Sequence, residues 1–354
     1  MSPKILSWSA AAAAALMLMS CGRNSNMHET TPLELNKPAH FPPPEIPSDN
    51  PLTVEGVRLG RHLFYDPRLS GDNTQSCASC HLQESNFAEY TSVSTGIDGI
   101  QGTMNAMVLS NLAWQQLFFW DGRATSLEQQ VLEPVENPIE MHETWGNVIE
   151  KLEQDPRYIA MFEAAYGPNS VSKENAAKSL ANFLRTLVTG ESKYDQYVQG
   201  EYQFTTSEQV GFDIYNNERG DCFHCHGLAG TGYQMGAFGL LQFSNNGLDS
   251  ILEVNSGRER VTGLPEDRAK FKIPSLRNVE YSFPYMHDGR FMTLSQVIEH
   301  YNMGGHPSST LDPNMKAAGV GRNWSLTEKQ GLLDFLKTFS DPNFLTDTAF
   351  SDPW

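Results

Sequence analysis

Two five-residue stretches hold the residue types best placed to do chemistry together: Cys77-Ala78-Ser79-Cys80-His81 and Cys222-Phe223-His224-Cys225-His226. The order Cys-x-x-Cys-His is the attachment pattern of a c-type haem. Two sulfurs at this spacing can bond the two vinyl groups of one porphyrin, and the adjacent histidine then sits under the ring to ligate iron. A single copy is ambiguous with a zinc or thiol-redox site. Two copies use four of the five cysteines, and Cys21 stands in a different context, so no pair is left for a disulfide. The chain is expected to carry two covalent haem c groups, held by Cys77, Cys80, Cys222 and Cys225, with His81 and His226 as the iron ligands. His224 is read as an edge residue near a propionate, not as a ligand.

The similarity of the two regions extends beyond the cysteines, as an internal repeat requires. Upstream, Gly60-x-x-Leu63-Phe64 mirrors Gly211-x-x-Ile214-Tyr215. Downstream, Trp120-Asp121-Gly122-Arg123-x-x-Ser126-Leu127 mirrors His287-Asp288-Gly289-Arg290-x-x-Thr293-Leu294. The expected architecture is mainly α: two duplicated cytochrome c-like helical domains over residues 51–195 and 196–354, with a seam near residues 190–201. Capping-box patterns at Thr205 with Glu208, Thr293 with Gln296, and Ser325 with Glu328 mark three helix starts. Leu294, Val297, Ile298 and Tyr301 then recur at helical spacing, as do Leu332, Phe335, Leu336 and Phe339. The intervening loops are long and rich in Gly and Pro, and a buried haem would give them a core to pack on.

At the N-terminus, Lys4 precedes an apolar run at residues 10–19 that is too short to span a bilayer, the pattern of an export signal over residues 1–20. Leu18-Met19-Ser20-Cys21-Gly22 looks like a bacterial lipobox, in which Cys21 takes the lipid. Residues 21–50, rich in Pro, Ser and Asn, are expected to form a flexible tether. No other segment has the ~20 apolar residues of a transmembrane helix. The expected location is therefore the periplasm, on a lipid anchor and more readily in the outer membrane than the inner. A formal net charge of −17 excludes a nucleic-acid partner and suits a soluble protein presenting a basic patch.

The residues resemble those of the bacterial di-haem cytochrome c peroxidases and their MauG-type relatives over about residues 51–344. The likeness is carried by Gly60-Arg61-x-Leu63-Phe64-Tyr65-Asp66-Pro67-Arg68-Leu69-Ser70, Phe119-Trp120-Asp121-Gly122-Arg123-Ala124, Asn137-Pro138-x-Glu140-Met141, Pro274-Ser275-Leu276-Arg277-Asn278 and Pro284-Tyr285-Met286-His287-Asp288-Gly289. What the resemblance implies is a peroxidatic haem in the N-terminal half, an electron-transfer haem in the C-terminal half and a calcium ion between them. It places the catalytic acid-base at Glu140, which suits the proton transfer that O–O cleavage requires. Gln130 would hold peroxide or water by hydrogen bonds. Trp120 would lie between the haems as an oxidisable relay. Calcium would take Asn105 with the carbonyls of Ser282 and Pro284, hard oxygen donors suited to that ion; the family more often has Thr where Ser282 stands.

A peroxidase needs one iron with an open face. The family's distal ligand to the electron-transfer haem falls at Tyr301, seven residues after Leu294, where the peroxidases usually have Met and the MauG type has Tyr. Met303 is the alternative, although two residues along a helix turn the side chain about 200° away. A Tyr ligand would put negative charge on the iron and favour its higher oxidation states. Seven residues after Leu127 stands Pro134, which has no group able to bind iron. Many of the peroxidases also carry a His sixteen residues after the first iron-ligating His, on a loop that blocks the iron; here that position is Ile97. Three functions follow as expectations: reduction of hydrogen peroxide with electrons from a small cytochrome or cupredoxin, MauG-like oxidation of a residue on a partner protein, and pure electron transfer with both irons six-coordinate.

Overall fold

The computed structural model describes residues 28–227, 243–250 and 256–354, so the export signal and Cys21 lie outside the described residues. Those residues form the helices α1 (Val54–Tyr65), α2 (Cys77–Cys80), α3 (Leu127–Gln130), α4 (Glu133–Glu136), α5 (Trp145–Glu153), α6 (Pro156–Tyr166), α7 (Lys173–Thr186), α8 (Lys193–Gln199), α9 (Thr206–Tyr215), α10 (Phe223–His226), α11 (Glu259–Thr262), α12 (Leu294–Met303) and α13 (Leu326–Lys337). Among the described residues the sheet consists of β1 (Phe243–Ser244) and β2 (Phe271–Lys272), paired antiparallel with Phe243 opposite Lys272. Among the described residues no helix is long and apolar enough to cross a membrane.

Two apolar clusters organise these helices. In the first, α1 buries Leu59, Leu63 and Phe64 against α7, which contributes Leu180, Phe183 and Leu184. Full burial of each such side chain is worth about 1.5–3 kcal/mol. In the second, Ile214 and Tyr215 of α9 meet Leu332 and Phe335 of α13. A glycine permits each helix pair to close. A Cβ on Gly60 would stand 1.9 Å from the Ser179 carbonyl oxygen, and one on Gly211 would stand 2.0 Å from that of Gly331. These are the two glycines that the sequence repeat aligns.

The repeat continues in the backbone around each Asp-Gly-Arg turn. Phe118 bridges Ala124, and Tyr285 bridges Phe291. Phe119 and Met286 both take positive φ, at 66° and 76°, as do Gly122 and Gly289 at 71° and 65°. Ser126 and Thr293 then cap α3 and α12 through their hydroxyls. The capping boxes expected at Thr205, Thr293 and Ser325 all form, with both reciprocal hydrogen bonds present.

The division between the clusters lies ahead of the expected boundary. Residues 195 and 196 fall inside α8, and Tyr194 of that helix packs in the second cluster. Phe344 and Leu345 return to the first. Residues 28–50, expected to be a flexible tether, lie against the body of the protein instead. Leu33 N–H donates to the Leu52 carbonyl at 3.0 Å. Phe41 is buried edge-on to Trp114, whose indole donates to the Pro42 carbonyl at 2.9 Å. His40 Nε2 lies 2.8 Å from Asp195 Oδ1. A Pro- and Asn-rich composition reports the absence of a regular element; a few apolar and hydrogen-bonding side chains are enough to dock it.

Candidate functional site

Each Cys-x-x-Cys-His stretch opens onto a cavity. The first, of about 610 Å³, is lined by Cys77, Cys80 and His81 together with Gln130, Pro134 and Glu140. Cys77 and Cys80 begin and end α2, so the i, i+3 spacing puts both sulfurs on one face. Burial pushes the Cys77 thiol up to about 12 and the Cys80 thiol up to about 11. The site thus favours the uncharged form of both sulfurs, which a thioether also presents. The His81 ring places Nδ1 2.7 Å from the Phe87 carbonyl, which leaves Nε2 to ligate iron. Apolar side chains such as Leu109, Leu112, Val131 and Leu184 complete the lining, so the site fits a flat, largely apolar macrocycle.

The second cavity, of about 230 Å³, is lined by Cys222, Cys225, His226 and Tyr301. Burial pushes the Cys222 and Cys225 thiols up to about 12 and about 11. It depresses His226 to about 4, with the Pro274 carbonyl acting in the opposite direction. Among the described residues no acceptor lies within hydrogen-bond distance of His226 Nδ1, so the Pro274 carbonyl acts on it from further off. The repeat holds in space here: Gln130, Val131 and Pro134 line the first cavity where Val297, Ile298 and Tyr301 line the second. Met303 is 66 % exposed and does not line the cavity. The Tyr301 hydroxyl accepts from Asn246 Nδ2 at 3.2 Å, and burial pushes it up to about 12 against that hydrogen bond.

A single wall serves both cavities. It is made of residues 105–108, Trp120 and residues 272–275, each of which lines both. Trp120 is buried, its indole N–H donates to the Asn105 carbonyl at 2.9 Å, and its own carbonyl accepts from Lys272 N–H at 2.8 Å. His287, its counterpart in the repeat, meets it edge-on at 6.5 Å between ring centroids.

Glu140 is part-buried beside the first motif. Burial raises its carboxyl above the ordinary range, with Asn137, which donates to Oε1 at 2.6 Å, and Arg123 pulling the other way. Asn137 and Glu140 are therefore held as a pair by the loop after α4.

A family profile described as di-haem cytochrome c peroxidase matches residues 54–203. The methylamine utilization protein MauG of Methylorubrum extorquens is 33 % identical over 314 residues, 87 % of this chain and 86 % of that one. The cytochrome c peroxidase of Escherichia coli is 35 % identical over 77 % of this chain, which spans only 57 % of that longer protein. The crystal structure of a MauG-like protein associated with microbial copper homeostasis superposes with a TM-score of 0.82 at 36 % identity, covering 91 % of this chain and 99 % of that one.

The chain belongs to the di-haem cytochrome c peroxidase and MauG family. It is an oxidoreductase of the peroxidase type, and membership implies two haem c cofactors. Ile97 does not line the first cavity: its N–H donates to the Glu140 carbonyl at 3.0 Å, and its loop neighbour Gly96 packs against the carbonyls of Ile139 and Glu140. Asn105, Ser282 and Pro284 all line the second cavity, with Asn105 Nδ2 donating to the Thr91 and Ser92 carbonyls at 3.2 Å each. His224 lies 2.5 Å from Asp221 Oδ1 and lines neither cavity.

Three residues at these cavities escaped the sequence reading. Asn246 has no motif around it. His287 stood inside one, and its alignment with Trp120 in the repeat was the available signal. Lys272 stands two residues ahead of Pro274, in a segment whose pattern gave it no role.

Proposed function

We propose that the protein reduces hydrogen peroxide to two waters in the first cavity, using two electrons that enter through the second from a small cytochrome or cupredoxin and two protons. The observation that carries this is the contrast in distal residues: Tyr301 lines the second cavity, whereas its counterpart Pro134 in the first offers no ligand. A haem held there by Cys77, Cys80 and His81 would supply the redox chemistry and store the electrons, and Pro134 offers it no further ligand. Glu140 accepts the proton of the inner peroxide oxygen and delivers it to the outer one, the leaving group. Burial raises its carboxyl above the ordinary carboxylate range, the direction expected of a group that must hold a proton before releasing it. The Gln130 amide orients peroxide by hydrogen bonding. Trp120, in the wall common to both cavities, relays electrons. Asn105 with the Ser282 and Pro284 carbonyls would bind calcium behind that wall.

A second reading, oxidation of a residue on a partner protein, draws on the same Tyr301 and on Ile97, both MauG-like. In either case the protein would work in the periplasm, anchored by a lipid on Cys21. Steady-state peroxide consumption with a reduced cytochrome c as donor separates the readings: sustained turnover supports peroxide reduction, and peroxide uptake without donor turnover would contradict it.

A further inference from the structure

Lys272 has no part in the steps above, yet its placement is costly. It ends β2, is only 6 % exposed, and lines both cavities. Its ammonium donates to Gln115 Oε1 at 2.6 Å and to the Leu117 carbonyl at 3.1 Å, and it lies 5.9 Å from the centre of the Phe118 ring. Both acceptors are neutral, and an ammonium has a third N–H to place. Among the described residues no carboxylate comes within ion-pair distance of it, and burial alone lowers it to about 8. Buried charges are ordinarily paired, because an isolated one gives up its hydration for nothing. By contrast Arg123, also at the first cavity, is already paired with Asp121 and Glu133.

The cavity is therefore built to receive an anion at this point. A haem carries two propionate carboxylates, the only charged groups on its rim. Gln115 and Phe118, which flank the ammonium, line the first cavity and not the second. We propose that Lys272 binds a propionate of the haem in the first cavity, as a positioning residue that fixes the macrocycle against the Trp120 wall and supplies a buried positive charge that has no carboxylate partner among the described residues. The pairing rests on haem attachment at Cys77, Cys80 and His81. Its electrostatic consequence has a fixed sign. Removing a cation next to the haem favours the ferric form, which carries one more positive charge, so the midpoint potential of that haem must fall.

The test uses the full-length holoprotein and three variants, Lys272→Met, Lys272→Gln and Lys272→Arg. Covalent haem is counted by the pyridine haemochrome assay, and the two haems are then titrated potentiometrically. The two neutral variants should shift the first haem's ferric-to-ferrous balance about tenfold toward ferric, 59 mV for a one-electron couple. Lys272→Arg should stay near wild type, and the second haem should move less than the first. Lys272→Gln keeps a polar group in the wall should Lys272→Met fail to fold. Two bound haems with an unmoved first midpoint in the neutral variant would overturn the pairing alone. So would an equal fall in Lys272→Arg, or a larger shift at the second haem. A wild-type chain without covalent haem would overturn the attachment itself, and the pairing with it.

Discussion

Trp120 and His287, which occupy the same place in the two repeats, are joined through one residue: Asn105 accepts the indole N–H at its carbonyl (2.9 Å) and donates its own N–H to the His287 carbonyl (2.8 Å). The two aromatic rings stand edge-on, and His287 lies flat on Phe271 with ring centroids 3.7 Å apart. The wall between the cavities is thus fixed from both repeats at once. A relay residue needs that rigidity, since its distance to each cofactor must not vary.

Substitution of Glu140 by Gln should leave both haems bound and their spectra unchanged, while lowering peroxide turnover by about two to four orders of magnitude. The pH profile adds a sign. Glu140 must be ionised to accept the first proton, and burial raises its carboxyl, so the wild-type rate should climb with pH through a value above the ordinary carboxylate range. That limb should be missing from the residual rate of Glu140→Gln. Near-normal turnover in the variant would remove Glu140 from the mechanism.

The second haem should respond to Tyr301 and ignore Met303. Tyr301→Phe is expected to open or re-ligate that iron, seen as a change in its spin state, and to leave the first haem's spectrum alone. Met303→Leu should change neither, because Met303 is 66 % exposed and outside the cavity. A second haem that changes in the Met303 variant would reverse the assignment.

Asp195 ties α8 to Arg277 and to the N-terminal segment. Arg277 reaches both its oxygens, with Nη2 to Oδ1 at 2.7 Å, and neither side chain is exposed. Burial opposes ionisation of this carboxyl, but the Arg277 guanidinium, with hydrogen bonds from His40 and Ser192, holds it well below the usual range. A carboxyl depressed on folding stabilises above its unfolded value near 3.8, and that stability is lost as pH falls below it. Asp195→Asn, which strands a buried guanidinium, should cost about 3–5 kcal/mol in denaturant unfolding at neutral pH. It should also flatten the acid limb of the stability profile. A loss under 1 kcal/mol would show the pair to be dispensable.

How much of this was legible in the sequence depended on whether the signal was local. The helix starts at Thr205, Thr293 and Ser325 could be read because a capping box is complete within four residues. Tyr301 and Pro134 could be compared because both repeats keep the same count from Leu294 and Leu127. The docking of residues 28–50 could not be read, since His40 meets Asp195 across 155 positions and composition does not record such a partner. Nor does composition record that α8, inside the expected seam near residues 190–201, sends Tyr194 into the second cluster. Lys272 carries no local signal, because its burial and its neutral partner Gln115 depend on a segment 157 positions away.

The proposed activity requires the two irons to differ on their distal sides, open at Pro134 and closed at Tyr301. The resting-state electron paramagnetic resonance spectrum of the fully oxidised protein tests it most directly, because it reports the ligation of both irons together. One high-spin and one low-spin ferric signal are predicted, with cyanide converting the high-spin signal without prior reduction. Two low-spin signals that cyanide leaves unchanged would contradict the open first site.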